Sequence, residues 1–451
     1  MNETILTWLI FILAFGGMVL IHEFGHYIAA RLCKIEVEEF GIGLPTPGAL
    51  TLWINKGFLL LKSGKRIEIP YNFRFPLNWN YLLERQVKIM VDEVKDRLVM
   101  RSIEVDVLED QGSSVTHYGP DHVYVDQNGK VVELPDETVQ PTSRKIVTAG
   151  KTSEGIQLVD VVTEVHPGTR FTLNWLPLGG FVRPKGENDP NVPGGLAAAN
   201  PWKRLAVLFA GPLMNLLTAV LIYSFVVVRA GVPTPERIVI ADLVENSPAA
   251  EAGILKGDIL LKGNDQPIRG YEDLRDVIDS SEGLPVVFLI DRNGEQIELA
   301  VTPKRSDDDQ RMVIGVYFDE QYTYEPVTSP IQALQFGARV TYNNIRALIS
   351  LPAQLLRGSL PAEQGRLIGL KGIFDIMEQS VARDVEASKS PPAENPFDQM
   401  RTLGLIASLS ISLGLFNLFP FPALDGGRII FVLPELIFRK RVSPQLENMV
   451  H

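Results

Sequence analysis

Two histidines and a glutamate near the N-terminus are the clearest candidates for chemistry in this sequence. They occupy the segment His22-Glu23-Phe24-Gly25-His26. On a helix, residues four positions apart stack on one face, so both imidazoles can bind one Zn²⁺. The intervening Glu23 can then reach the attacking water and accept its proton. The pattern predicts a hydrolytic zinc site. The alternative is that all three are interfacial residues just beyond an apolar helix.

A catalytic zinc site needs a third protein ligand, and a segment far along the chain supplies the best candidate. It comprises residues 417–427 and contains Asp425, which follows two prolines and precedes two glycines. Cys33, the single cysteine, lies beyond the histidine helix without a partner pattern, so a carboxylate is the better candidate. Irregular backbone at membrane depth is tolerated only against protein or a wet cavity. We therefore expect Asp425 to complete a ligand set with His22 and His26.

Three long uncharged runs predict the helices that would hold these residues in a membrane. They cover residues 5–21, continued through Leu32, then residues 205–228 and residues 403–424. Each approaches or exceeds the roughly 20 residues that one helical crossing needs. The first run is interpreted as a retained helix rather than a signal peptide, because Glu3 replaces the basic start and no cleavage pattern follows. Ionisable groups that continue such a helix are usually functional.

Basic residues near the span ends predict an orientation. The ends that should be cytoplasmic carry Arg31, Lys34, Lys203, Arg204, Arg428, Arg439, Lys440 and Arg441, and the opposite ends carry Arg229, Arg237 and Arg401. The implied topology places the N-terminus outside, residues 33–203 inside, residues 230–401 outside and the C-terminal end inside. The zinc site would then lie near the cytoplasmic face of an inner or plasma membrane.

Composition excludes several classes of protein. The net charge of −11 argues against nucleic acid as a partner, because phosphate binding needs a basic face. A single cysteine excludes an intramolecular disulfide framework and a multi-cysteine zinc knuckle. A length of 451 residues allows roughly two to four domains.

The segment between the first two spans predicts a β-rich soluble insertion over residues 64–169. Alternating apolar and polar residues indicate strands, residues 126–130 a hairpin turn, and residues 82–100 a short helix. The scattered His117, His122 and His166 are interpreted as surface residues rather than metal ligands.

The segment after the second span predicts a second soluble module over residues 233–304. Strands are expected at 237–240, 258–261 and 286–290, a helix at 270–280 and a turn at 291–294. Over residues 330–358, helical periodicity puts Leu334, Ala338, Tyr342, Ile345 and Ile349 near one face of a helix that is either soluble or on the membrane surface. Residues 381–400 are polar and rich in proline, which favours a flexible link.

Together these motifs resemble the site-2 protease family of intramembrane zinc metalloproteases, in its bacterial PDZ-containing branch of the regulator of sigma-E protease type. The two zinc motifs and the order of spans carry the resemblance, with four further segments. These are residues 37–43 and 176–182, similar to the family's membrane-associated β-hairpin region, residues 211–215, similar to its Gly-Pro-x-x-Asn element, and residues 246–258, similar to the PDZ domain of bacterial proteases.

The resemblance implies roles for individual residues. His22, His26 and Asp425 would bind Zn²⁺ and Glu23 would activate the water. Asn417 would engage the substrate backbone, and Asn215 would help to shape the active site, although a buried Asn often serves helix packing. The edges of residues 40–53 and 171–182 would pair with an unwound substrate strand. The family's substrates are single-span membrane proteins, and the PDZ domain would either bind peptide ends or gate entry.

The resemblance also implies a fold class: a multi-span α-helical membrane protein with a membrane-associated β-hairpin region, a β-rich cytoplasmic insertion and an α+β PDZ domain. The expected domains are 1–33 (first span), 34–63 with 170–200 (β region), 64–169 (insertion), 201–230 (second span), 233–304 (PDZ domain), 305–400 (amphipathic helices and linker), 401–427 (third span) and 428–451 (start of the C-terminal region). The family's last span is expected to follow Glu447 and is missing from this sequence.

Two other functions compete with a protease. A membrane-anchored PDZ scaffold with an inactive metal site would share the architecture, but all three ligands and the glutamate are present. A metal transporter would need further ionisable residues along the spans, and residues 205–228 and 403–424 contain none. Three long apolar runs exclude a soluble protease with the same motif.

Overall fold

The computed structural model describes residues 3–109, 124–125, 131–132, 143–150, 155–176, 178–306, 311–356, 369–389, 396–439 and 441–442. The helices are α1 (Glu3–Leu32), α2 (Pro201–Ala230), α3 (Pro248–Glu251), α4 (Tyr271–Ser280), α5 (Pro330–Leu356), α6 (Leu370–Lys389), α7 (Arg401–Asn417) and α8 (Asp425–Phe438). The strands are β1 (Val37–Ile42), β2 (Leu50–Ile54), β3 (Gly57–Leu61), β4 (Arg66–Ile69), β5 (Gln86–Val94), β6 (Arg97–Glu109), β7 (Tyr124–Val125), β8 (Val131–Val132), β9 (Ser143–Gly150), β10 (Ile156–His166), β11 (Arg170–Leu173), β12 (Gly180–Pro184), β13 (Val232–Leu243), β14 (Ile259–Gly263), β15 (Gln266–Pro267), β16 (Val286–Arg292), β17 (Glu295–Val301), β18 (Lys304–Arg305), β19 (Met312–Val313) and β20 (Val316–Glu325).

The chain divides into two compact units whose boundaries fall within helices α1, α2 and α7. The first, here called the histidine unit, comprises Ile12–Met214 and Phe416–His451. The second unit comprises Met1–Phe11 and Asn215–Leu415.

Within the described ranges, two helices are long and apolar enough to cross a membrane. They cover Thr4–Leu32 and Pro201–Ala230, in agreement with the first two predicted spans. The third predicted span, residues 403–424, is shorter than expected because α7 ends at Asn417 after 17 residues. Two prolines follow within five residues, and proline cannot continue a helix. The prediction of a third continuous span is therefore wrong in its extent.

A four-stranded sheet in the histidine unit packs on α1. Its strand order is β12-β1-β11-β2, with β1 and β11 parallel and the other pairs antiparallel. One face carries an aromatic cluster in which Tyr27 of α1 contacts Phe40 and Phe171, and Trp53 stacks on Phe171 at 4.5 Å. These strands come from the two segments predicted to form the β region. The cluster fixes the sheet against the histidine helix.

A six-stranded sheet follows in the same unit, in the order β4-β3-β10-β5-β6-β9. An additional parallel pairing of β4 with β6 closes five of these strands into a ring. Its interior is filled by alternating apolar side chains, among them Leu59, Ile67, Ile89, Ile103 and Val162. Because β3 belongs to this sheet, the predicted boundary at residue 64 falls inside it.

The helix predicted over residues 82–100 is wrong. Residues 86–94 and 97–109 form the strand pair β5 and β6, preceded by a single 3₁₀ turn at Trp79–Leu82. Val87, Ile89 and Val91 are buried at every second position, which is the period of a strand rather than a helix. The predicted turn at residues 126–130 lies outside the described residues, but the strands on either side of it, β7 and β8, pair antiparallel as expected.

The second unit contains a sheet in the order β17-β16-β14-β13-β20, with β15 on β14. It confirms the predicted strands at 237–240, 258–261 and 286–290, and α4 confirms the predicted helix. The predicted turn is a two-residue hairpin at Asn293 and Gly294, both with positive φ, as a type I′ turn requires. Leu274, Val277 and Ile278 of α4 are buried in the core of this module.

Helix α5 forms over the predicted region. Three residues of its predicted apolar face, Leu334, Tyr342 and Ile349, are exposed, whereas Ile345 packs on a cluster that contains Ala219 and Ile411. The opposite face is made of small residues, and a Cβ at Gly337 would lie 3.0 Å from the backbone nitrogen of Ser224 on α2. Close backbone approach selects small residues. Residues 381–389 are not a flexible link, because they complete α6 and Val381 is buried.

Candidate metal centre

Helices α1 and α8 bring two histidines and an aspartate of the histidine unit to one point. His22 Nε2 lies 3.1 Å from Asp425 Oδ2, and His26 Nε2 lies 3.4 Å from the same oxygen. The two Nε2 atoms are 3.1 Å apart. Among the described residues this is the one group of three or more such side chains able to hold a metal ion.

The spacing of these three atoms fits Zn²⁺. Bonds of about 2.0–2.1 Å in a tetrahedral arrangement separate neighbouring ligand atoms by about 3.3 Å, and the observed separations are 3.1–3.4 Å. The donor set of two imidazoles and one carboxylate is one that zinc uses in catalytic sites, leaving a fourth position open. His22 and His26 are 6% and 7% exposed, so the ligands lie in a largely dry environment.

A hydrogen bond on the far side of one ring orients it toward this point. His26 Nδ1 lies 2.7 Å from the backbone carbonyl oxygen of Val207 on α2. A carbonyl can only accept, so Nδ1 donates and the lone pair of Nε2 is left to face the other two ligands. Such outer hydrogen bonds are the usual way in which a metal-binding imidazole is held in one tautomer.

Two glycines allow α1 and α2 to approach closely at the site. A Cβ at Gly211 would lie 2.7 Å from His22 Nε2 and closer still to His26 Nε2. A Cβ at Gly25 would lie 2.7 Å from Met214 and would overlap the carbonyl of Ala210. Any larger residue at position 211 would therefore occupy the space between the imidazoles.

A strained turn delivers Asp425 to the site. After α7 ends at Asn417, Ala423 adopts a left-handed φ of 66°, a conformation that costs a residue with a Cβ about 1–2 kcal/mol. Asp425 then begins α8. Gly426 packs so tightly on the carbonyls of Leu418 and Phe419 that no Cβ would fit. Strain of this kind persists only where the surroundings hold the backbone in place.

The carboxylate of Glu23 is held beside the histidines by the edge of the four-stranded sheet. Its Oε2 accepts a hydrogen bond of 3.2 Å from the backbone N–H of Val182 on β12. Gly179 and Gly180, at the start of that strand, contact Val19 and Leu20, one turn before Glu23 on α1. Glu23 thus lies between the paired histidines and a strand edge.

The structure places the two predicted asparagines differently. Asn417 is the last residue of α7 and is half-buried in the histidine unit. Asn215 is fully buried in the second unit, where its backbone carbonyl accepts a hydrogen bond from the Ser410 hydroxyl.

The sequence placed residues 211–215 and 171–182 at the site through the resemblance, but it did not predict the helix contacts of Gly25 and Gly211 or the backbone hydrogen bonds of Val207 and Val182. The two glycines carry a signal in the sequence, since each interrupts an apolar helix where alanine would be the better helix former. The contacts of Val207 and Val182 are made by backbone atoms, so their side chains give no signal.

His166 is less exposed than the prediction of a surface residue implies. Its ring stacks on Phe58 at 4.1 Å and its side chain is 15% exposed. It forms ion pairs with Glu36 and, at 3.1 Å, with Glu164. His117 and His122 lie outside the described residues.

Comparison with known proteins places most of the chain in one family. The model of peptidase family M50 matches residues 10–56 and 152–451. The interval between the two matched segments contains β3 to β9, which is most of the six-stranded sheet.

Several curated relatives match almost the whole chain. The regulator of sigma-W protease RasP of Bacillus subtilis is 26% identical over 98% of this chain and 93% of the relative. A putative zinc metalloprotease of Staphylococcus aureus is 24% identical over 99% of this chain and 94% of the relative. The probable protease eep of Enterococcus faecalis is 25% identical over 99% and 94%.

Among solved structures, the PDZ domain of an SdrC-like protein from Listeria monocytogenes matches 19% of this chain and 90% of that chain, at 16% identity and a TM-score of 0.18. That score carries no argument. The family match covers both zinc motifs and most of the chain. This chain belongs to peptidase family M50, the membrane-associated site-2 proteases, and is a zinc metalloprotease.

Proposed function

We propose that this protein hydrolyses peptide bonds of membrane-protein substrates, with Zn²⁺ held by His22, His26 and Asp425 and with Glu23 as the general base. The observation that carries the proposal is the convergence of three ligand atoms, two on buried histidines and one on a partly buried aspartate, at separations of 3.1–3.4 Å. His22 and His26 come from one motif and Asp425 from another that lies far along the chain, yet all three belong to one unit of the fold. An inactive scaffold has no need of this geometry.

Zn²⁺ in such a ligand set supplies Lewis acidity toward a carbonyl and makes water more acidic. Glu23 then accepts a proton from the attacking water and delivers it to the leaving amine nitrogen. The Val182 N–H engages one carboxylate oxygen of Glu23, which fixes the direction in which the group can exchange protons. The buried setting strengthens each of these electrostatic interactions.

The contact between Glu23 and Val182 favours one strand edge for substrate binding. The four-stranded sheet has two free edges, β12 and β2. β12 contacts Glu23 directly, whereas β2 lies three strand spacings away, about 14 Å. A peptide paired with β12 would be held extended beside the general base, as strand addition does elsewhere. This requires the substrate helix to unwind, because helical carbonyls are occupied.

The two asparagines have weaker support. Asn417 ends the helix that leads to Asp425, and we propose that its side chain contacts the substrate backbone. Asn215 is fully buried and its carbonyl accepts a hydrogen bond from Ser410, which supports a packing role within the second unit.

The names of the relatives indicate the kind of proteolysis in which this enzyme would act. One relative is a regulator of sigma-W, and by analogy this enzyme would act in regulated intramembrane proteolysis on single-span substrates. The predicted orientation places the zinc site near the cytoplasmic face and the second soluble module outside, where a PDZ fold would bind peptide ends or gate entry. The predicted domain boundaries belong to the same proposal, apart from the boundary at residue 64 and the extent of the third span.

A cleavage assay with purified full-length protein in detergent tests the proposal. Wild type should cleave single-span substrates from a panel and lose activity with a zinc chelator. Glu23→Gln should retain one zinc per chain while cleavage falls on the order of 10²–10⁴-fold, the usual contribution of a general base. Full turnover by Glu23→Gln would refute the role of Glu23, and zinc-independent cleavage by wild type would refute the mechanism.

A further inference from the structure

Helix α8, which carries Asp425, is joined by two ion pairs to the first turn of α2 and to the segment that precedes α2. Glu435 of α8 pairs with Arg204, and Arg428 of α8 pairs with Glu187. We propose that Arg204 and Glu187 are positioning residues that fix the axial register of α8 and thereby the place of Asp425. The inference rests on the proposed zinc site and adds to it the residues that hold its third ligand.

In the Arg204–Glu435 pair the arginine is buried and the glutamate is partly buried. Arg204 Nη1 lies 2.9 Å from Glu435 Oε2, and the two side chains are 5% and 21% exposed. Removing two charges from water is costly, and apolar residues of similar volume often give equal or greater stability. Such a pair is therefore better explained by the geometry that it specifies than by the stability that it adds.

Glu435 and Arg428, the two charged residues of α8 that form these ion pairs, lie on the same face of the helix as Asp425. Asp425, Arg428, Val432 and Glu435 follow one another at intervals of three, four and three residues, which keeps them on one side of the helix. Asp425 is at one end of this face and Glu435 is ten residues away, about 15 Å along the axis. The helix is thus held at the end opposite to its ligand.

The apolar contacts on the same face cannot set the register alone. Ile429 and Val432 of α8 pack on Leu208 of α2, with Leu205 and Leu436 beside them. Apolar burial is non-directional, so a small slide of α8 along α2 changes its energy little. A metal ligand must be held within roughly 0.5 Å of its working position. A charged pair of fixed geometry supplies that restraint.

A second pair and a further contact act from the same segment. Arg428, one turn after Asp425, pairs with Glu187. Beyond the end of α8, Arg441 Nη1 donates a hydrogen bond of 2.7 Å to the carbonyl of Ala197. The segment from Glu187 to Arg204 therefore contacts α8 near its start, near its end and beyond it.

The test is the zinc affinity of full-length protein in detergent, measured by competition with a chromophoric chelator. The double variant R204M/E435L replaces this pair with apolar side chains of similar size. We expect it to unfold within a few degrees of wild type but to bind zinc at least about tenfold more weakly, the usual cost of losing an outer-sphere partner. The visible spectrum of the cobalt-substituted variant should also shift, because it reports ligand geometry.

The matched control is K304M/E251L, which removes an exposed ion pair of the second unit and should leave zinc affinity unchanged. An R204M/E435L protein with wild-type affinity and spectrum would overturn the inference. If this variant does not fold, E187Q and R428Q replace it, since that pair is half-exposed. Several-fold weaker zinc binding by both at an unchanged unfolding temperature supports the inference, and unchanged binding overturns it.

Asp425→Ala in the same titration distinguishes failure of the proposed zinc site from failure of the positioning role alone. If wild type and Asp425→Ala bind zinc equally, the proposed site itself fails, and the inference fails with it. If Asp425→Ala loses zinc while R204M/E435L behaves as wild type, the site stands and only the positioning role is removed.

Discussion

Two clusters of histidine and carboxylate groups lie in the histidine unit, and they differ in what their lone pairs face. In the first, His22, His26 and Asp425 direct three atoms to one point at separations of 3.1–3.4 Å. In the second, the two nitrogens of His166 face different carboxylates, Glu36 and Glu164, on opposite sides of the ring. Only the first arrangement leaves a common position for an ion.

The second cluster also differs from the first in having a lysine as a neighbour. Lys185 Nζ lies 3.1 Å from Glu36 Oε2, so the second cluster is already neutralised by protein charges. Burial alone would raise the pKa of Glu36, but its hydrogen bond with His166 and the charge of Lys185 hold that pKa below its ordinary value. The described residues around the first cluster supply instead a backbone carbonyl and two glycines. The two clusters therefore contain the same types of residue, and only the one whose ligand atoms point to a common position can bind a metal ion.

The largest expected effect comes from removing one converging ligand. Asp425→Ala should lower zinc affinity by more than about 10³-fold and abolish cleavage, because a two-imidazole site is incomplete. Glu36→Ala, the equivalent change in the second cluster, should leave one zinc per chain. Metal analysis of both proteins measures the contrast. Equal zinc content in the two variants would show that the clusters do not differ as described.

Filling the space between the imidazoles should have the next largest effect. Gly211→Ala introduces a methyl group 2.7 Å from His22 Nε2 and nearer to His26 Nε2. We expect zinc affinity to fall about 10–100-fold, as for other changes that misplace a ligand. Gly404→Ala serves as a control, since a Cβ there meets nothing within 4 Å. Wild-type affinity in Gly211→Ala would mean that the helices are farther apart than described.

Removing the donor to Glu23 should reduce turnover without removing metal. Val182→Pro deletes the N–H that Glu23 accepts, on the outward edge of a strand where proline is tolerated. Cleavage should fall about tenfold while zinc content stays at one per chain, because the base is less well oriented. Val182→Ala keeps the N–H and should cleave normally. Loss of activity in Val182→Ala as well would point to the side chain instead.

The smallest effect concerns the second cluster and its dependence on pH. Burial would lower the pKa of His166, but its hydrogen bonds to Glu36 and Glu164 outweigh this and raise the pKa above 6.5. The stabilising contribution of His166 is therefore complete below pH 6.5 and is lost as pH rises through the folded-state value. The Glu36 contribution, whose folded-state pKa is lowered, is present above pH 4.5 and is lost at lower pH.

The difference in unfolding temperature between wild type and His166→Gln should accordingly be largest between about pH 4.5 and 6.5 and shrink toward pH 9. The corresponding difference in the free energy of unfolding should not exceed about 1 kcal/mol, since such partly exposed pairs contribute little. A difference that grows as pH rises would contradict the assigned direction. Zinc content should be unchanged throughout.

Features set by the spacing of residues close together in the chain could be predicted from the sequence. Features that depend on contacts between distant chain segments could not. The histidines four residues apart fall on one helix face wherever that helix lies, so their pairing could be predicted. Residues 86–94 alternate with a period of two, yet charged residues between the apolar ones allowed a helix, and the partner strand β10 lies some 70 residues later. Helix α5 packs through small residues because α2 approaches closely, a choice that apolar periodicity does not reveal. His166 is partly buried because Phe58 and Glu36, which contact it, come from other elements of the chain.

X-ray absorption at the zinc edge of the purified, zinc-loaded protein reports the ligand set itself. We expect one zinc per chain, bound by two imidazole nitrogens and carboxylate oxygen at about 2.0–2.1 Å. The imidazole scattering should disappear in a His22→Ala/His26→Ala double variant. Zinc bound by sulfur, or an unchanged spectrum in that double variant, would contradict the account.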